Sequence, residues 1–107
     1  MPKYMIQASY TADGTKGVMK EGGTKRRATV EANVKAAGGT VEAFYFAFGE
    51  ADAFVIVDLP DNASAAALSM AVNASGVVAL KTHVLLTPEE VDRATKKSVQ
   101  YRAPGKR

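Results

Sequence analysis

Cysteine is absent from this 107-residue chain and histidine occurs once, as His83. The first absence excludes disulfides, thiolate metal sites and a cysteine nucleophile. The second leaves too few imidazoles for a histidine-based zinc centre within one chain, and no metal or other cofactor is expected. No apolar run approaches the roughly 18 residues of a membrane span, and Met1-Pro2-Lys3-Tyr4 lacks the apolar core of a secretion signal. The expectation is a soluble, cytoplasmic protein with no membrane partner. A basic body is also missing. The net charge is +3, yet residues 1–101 hold eleven Lys or Arg against eleven Asp or Glu, so the excess is Arg102, Lys106 and Arg107. Those three sit in a short Pro- and Gly-containing tail, residues 102–107, expected to be mobile. A nucleic-acid-binding face needs cations clustered on the folded body.

What is present is enough for one domain, residues 1–101, with 47% hydrophobic and 23% charged residues. Lys3 to Tyr10 alternates Tyr4, Ile6, Ala8 and Tyr10 against Met5, Gln7 and Ser9, which predicts a strand. After the turn cluster TADGT the spacing becomes helical: Val18, Gly22, Arg26, Val30, Val34 and Ala37 share one side up to the stop at Gly38-Gly39. Gly22-Gly23 makes this either one kinked helix or two, with Thr24 as the cap of the second. Thr40 to Phe48 and Ala51 to Leu59 are the second and third strands, joined by a tight hairpin in which Gly49 is expected to take a positive φ. Pro60-Asp61-Asn62 ends the third strand and caps an Ala-rich helix over Ala63 to Ser75. Val77 to Leu86 is a fourth strand. Thr87-Pro88-Glu89-Glu90 then opens a final helix running to about Ser98, with Thr as cap, Pro at the first position and Glu reaching back.

The order is β-α-β-β-α-β plus a terminal helix, the α+β, ferredoxin-like arrangement on a four-stranded antiparallel sheet. Strand phase sorts the residues into two faces. One collects Tyr4, Ile6, Ala8; Val41, Ala43, Tyr45; Val55, Val57, Leu59; and Leu80, Val84, which suits the cover of Ala-rich helices. The other collects Met5, Gln7, Ser9; Phe44, Phe46, Phe48; Asp52, Phe54, Ile56, Asp58; and Lys81, His83, Leu85. So many Phe side chains are too apolar for a face left to water. A second copy of the chain, packed sheet to sheet, is the expected cover.

The run FGEADAFVIVDLPDN, the Ala-rich helix after it, LLTPEEVDRA and the stretch MKEGGTKRR together resemble the GYD domain family, small bacterial proteins without an established activity. The resemblance extends to Gly105. Gly49 and Asp52 match the family's Gly and Asp, while Ala51 stands where the Tyr is expected. It implies a ferredoxin-like fold and an oligomeric habit like that of dimeric α+β barrel proteins, and it supplies no reaction.

Three sets of residues have chemical potential. His83 is the one side chain whose ordinary pKa lies near neutrality. It shares its expected face with Gln7, Ser9, Phe46 and Ile56, an apolar surface carrying a few polar groups as a small-molecule pocket requires. Asp52 and Asp58 flank the third strand; either carboxylate with His83 could serve as acid and base. The structural readings are an interface histidine, an Asp52 that holds the turn, and an Asp58 whose burial is matched by Lys81 or His83. Thr24, Lys25 and Arg26, after two glycines, could hold an anion, or could be a solvated helix face. The GxxxxGK[ST] spacing of a phosphate loop is missing, and no nucleophile elbow surrounds Ser9. RNA recognition on the same element order needs K/R-G-F/Y-G/A-F-V-x-F/Y on its third strand. The run EADAFVIV keeps only Phe54-Val55. The expectation is a homodimer or higher homo-oligomer that binds a small organic ligand around His83. The alternative is a cofactor-independent isomerase, lyase or monooxygenase of the dimeric-barrel type using His83 with Asp52 or Asp58.

Overall fold

The alternation in Lys3–Tyr10 forms β1, and the computed structural model, which describes residues 1–105, builds the rest around it. Lys106 and Arg107 of the expected tail lie outside the described residues. The other elements are α1 (Ala12–Glu21), α2 (Gly23–Ala36), β2 (Thr40–Phe46), β3 (Ala53–Asp58), α3 (Asn62–Asn73), β4 (Val78–Leu85) and α4 (Pro88–Thr95). The sheet order is β2-β3-β1-β4, with every neighbouring pair antiparallel. This is the ferredoxin-like α+β fold with one added helix.

Local chemistry sets the boundaries. Gly22 has φ 86°, a left-handed backbone that costs glycine little, and it divides the first crossover into α1 and α2. Thr24 is not the cap of α2; Gly22 is, with no side-chain hydrogen bond. Asp61 caps α3 by accepting the Ser64 N–H at 2.8 Å. Thr87 and Glu90 form the expected reciprocal capping box on α4. Gly39 is required by crowding, since a Cβ there would collide with the Asp58 carbonyl oxygen. The β2–β3 connection is longer than a tight hairpin, and Gly49 is not among the positive-φ glycines.

The helix-covered face holds the core. Tyr4, Ile6, Val55, Val57 and Leu59 pack with Val34 of α2 and with Ala65 and Leu68 of α3. Beside them Ala8, Ala53 and Val78 form a smaller buried cluster. The Tyr4 hydroxyl reaches out of this core to donate to Asn62 Oδ1 at 2.6 Å, tying β1 to the start of α3.

One strand departs from simple alternation. Val41 stands opposite Val57 and Ala43 opposite Ile56, so Glu42 is an extra residue, a β-bulge. Beyond it the phase of β2 is reversed. Phe44 and Phe46 face the helices, opposite Val55 and Ala53, while Ala43 and Tyr45 take the other face. The expected placement of these four residues is therefore corrected: alternation counted through Glu42 puts each on the wrong side. Phe44 joins the core clusters. Phe46 meets it edge to face, ring centroids 5.1 Å apart, and lies against Gly23.

The C-terminal arm packs on little. No residue of α4 is buried, and the described residues span 58 × 32 × 23 Å with a radius of gyration of 17.1 Å. A compact chain of this length has about 13 Å.

Candidate functional site

The uncovered face of the sheet is read off the register. β1 contributes Lys3, Met5, Gln7 and Ser9. Across from them stand Asp58, Ile56 and Phe54 of β3 and Leu85, His83, Lys81 and Ala79 of β4. Tyr45 of β2 lies beside Phe54 and is 71% exposed. The polar centre is a pair: His83 Nε2 lies 2.9 Å from Gln7 Oε1. An amide oxygen only accepts, so Nε2–H donates to it. His83 is exposed.

Two hollows flank this pair. One, about 420 Å³, lies toward the β2–β3 loop between Gln7, Ser9, Phe48, Glu50, Phe54 and Lys81. The other, about 270 Å³, lies between Lys3, Glu42, Ile56, Leu85, Thr87 and Glu90. Gln7, Ser9 and Ile56 are thus on one face with His83. Phe46 is on the opposite face, because the Glu42 bulge turns it there.

Neither candidate carboxylate reaches the imidazole within one chain. Asp52 Oδ2 accepts the Tyr10 N–H at 2.8 Å, and its own N–H donates to the Ala8 carbonyl at 2.7 Å. With Ser9 Oγ donating to the Glu50 carbonyl at 2.9 Å, these bonds strap the loop to the end of β1. Asp58 stands at the other end of β3 and accepts from Lys3 Nζ at 2.9 Å; Glu42 accepts from the same ammonium at 3.2 Å. Its partner is Lys3, in place of the expected Lys81 or His83. Asp58 and Glu42 together raise the Lys3 pKa. His83 lies on the far side of β1 from Asp58, two strand spacings across and two residues along, about 12 Å away. Sequence periodicity does not single out Lys3, because its link to Asp58 depends on the β1–β3 register.

A separate cavity lies on the helix side. α2 packs chiefly on β2 and α3 on β4, which leaves a cleft of about 660 Å³ between the helices. It continues inward as a pocket of about 40 Å³ whose floor includes Ile6, Ala8, Ala53 and Val55. Of the three expected anion-binding residues, Thr24 and Lys25 are exposed on α2, while Arg26 turns into this cleft. Its Nε is buried without a hydrogen-bond partner.

Among the described residues, no three His, Asp or Glu side chains gather as a metal site needs, and no helix is long and apolar enough to cross a membrane. The sequence profile of the GYD domain matches residues 4–95. The chain belongs to the GYD domain family. A search of curated proteins and a search of solved structures each return no match.

Proposed function

We propose that this GYD protein is a homodimer, packed sheet to sheet in the manner of dimeric α+β barrels, that binds a small organic molecule on its otherwise uncovered face. The observation that carries the reading is the Gln7–His83 pair set among Met5, Phe54, Ile56 and Leu85. An apolar surface with few polar groups suits a small ligand once water is excluded, and a second sheet excludes it. The unburied arm supports the dimer from another direction. Leu86, Val91, Val99 and Tyr101 are exposed on it, and a partner subunit gives them a surface to cover.

Within one chain Asp52 is bound to backbone and Asp58 to Lys3, which favours the binding reading over the acid–base alternative. Sedimentation at rising concentration tests the assembly, with a dimer expected and a concentration-independent monomer counting against it. A thermal-shift screen of small metabolites on the unchanged chain and on His83→Ala tests the site. The expected result is a ligand that raises the midpoint of the first more than that of the second.

A further inference from the structure

On the side of the sheet away from His83, we propose that the cleft between α2 and α3 is a second binding site, for a small monocarboxylic acid with an apolar body, its carboxylate on Arg26. The cavity is built by side-chain size. Its floor includes the small Ala8 and Ala53, and Ala36 and Ala37 on one wall face Ala67 and Ala71 on the other. At about 660 Å³ the cleft falls in the range of small-molecule pockets, about 300–1,000 Å³.

The charge distribution selects the ligand. Among the described residues Arg26 is the one cation lining the cleft, and it also lines the inner pocket, as does Asn33 two turns further along α2. No carboxylate of the described residues lies within ion-pair distance of its guanidinium, and its Nε is buried without a partner. A buried donor on a charged group is costly to leave unbonded. Arg26 as a whole is only partly buried, and a carboxylate in the cleft suits it because two carboxylate oxygens match two parallel N–H groups of a guanidinium fork. Asp13 and Glu21 of α1 line the outer cleft but not the inner pocket. The potential therefore runs from negative at the mouth to positive within, which accepts one carboxylate at depth and disfavours a second at the entrance. Tyr10, Val18, Leu68 and Val72 line the cleft and give an aliphatic chain or single ring apolar walls.

Calorimetry and thermal shift on the full chain test the site with phenylacetate and octanoate, and with phenylacetamide as a neutral probe of the same shape. The acids are expected to bind saturably, one per chain, and the amide roughly tenfold more weakly or worse. Arg26→Met keeps an apolar stem and removes the charge; it is expected to bind acid and amide alike. Lys35→Met, an exposed residue of the same helix that does not line the cleft, makes the same change in net charge and is expected to bind as the unchanged chain does. Ala71→Phe, on an exposed helix position lining the cleft, puts a ring into the cavity and is expected to weaken binding in a chain of unaltered circular dichroism. The proposal is overturned by equal affinity for acid and amide, by full binding in Arg26→Met, or by no saturable binding of either acid at millimolar concentration. None of these outcomes bears on the sheet-face site, whose readouts are sedimentation and His83→Ala.

Discussion

The two faces of the sheet are made from the same strands and differ in what they leave unfinished. On the helix side Tyr4, Val57 and Leu59 are fully buried, and polar atoms reach out of the core to specific partners, as the Tyr4 hydroxyl does to Asn62. On the other side Met5, Phe54, Ile56 and Leu85 are only half-buried, and the polar groups answer one another across strands: Gln7 with His83, Lys3 with Asp58 and Glu42. The helix side holds the domain together. The open side has apolar area to spare but no partner within the chain, as expected of a surface that completes itself by association. The exception on the helix side is the interhelical cleft, where a cation lies over small side chains and packing stops short.

The largest effect is expected from a one-residue slip in β2, which exchanges its two faces. Inserting an alanine between Ala43 and Phe44, with the Glu42 bulge still in place, would send Phe44 and Phe46 to the open face and Tyr45 inward. A loss of more than about 3 kcal/mol is expected, comparable to removing a core aromatic. Urea unfolding of the insertion measures it, and a near-normal midpoint would mean that a second bulge takes up the extra residue. Next comes Leu59→Ala. This side chain is 0% exposed, and its truncation is expected to cost about 2–5 kcal/mol. Ile56→Ala, three residues earlier on the open face, is expected to cost much less in dilute solution and more as concentration rises and the face is covered. Equal losses at all concentrations would remove the distinction between the faces.

Much of this contrast is legible in the order of residues alone. Alternation in β1 and β3 assigns Tyr4, Ile6, Val55 and Val57 to the core side and Met5, Gln7, Phe54 and Ile56 to the other, because both strands are regular and one face is strongly apolar. Thr87-Pro88-Glu89-Glu90 announces α4 because a capping box is a local device. β2 resists the same reading because a bulge is one extra residue with no sequence mark of its own, and a one-residue slip inverts every side chain beyond it. The cation that pairs with Asp58 is hidden for a related reason, since cross-strand partners depend on register. The cleft at Arg26 is not legible either: that α2 and α3 stand apart is a property of packing distances, and periodicity records only which side of a helix is apolar.

A smaller effect on stability, but a decisive one on assembly, is expected from a charge on the open face. Phe54→Lys places an ammonium beside Tyr45 and Gln7 without entering the core. The expected outcome is a monomer whose unfolding free energy lies within about 1 kcal/mol of the starting protein under dilute conditions. Sedimentation and urea unfolding on the same sample check both halves. A Phe54→Lys protein that still dimerises would move the interface to another surface, with the α4 arm the first to examine.

The smallest effects distinguish the faces by pH. Asp61 caps α3 on the helix side, and the Ser64 N–H lowers its pKa from the ordinary 3.8. Its contribution is present in full above that value and lost as the pH falls through the lowered folded one. Lys3 lies on the open face, and Asp58, then Glu42, raise its pKa from the ordinary 10.5. Its contribution is present in full below that value and lost as the pH rises through the raised one. Both groups are solvated, so each effect is small and shrinks with added salt. Asn is as good a helix cap as Asp, so Asp61→Asn is expected to flatten the acid limb of the melting-temperature profile and leave the alkaline limb alone. Lys3→Met is expected to do the reverse. If Lys3→Met leaves the alkaline limb unchanged, the Lys3–Asp58–Glu42 cluster contributes contact without stability, and the open face is held by its apolar residues alone.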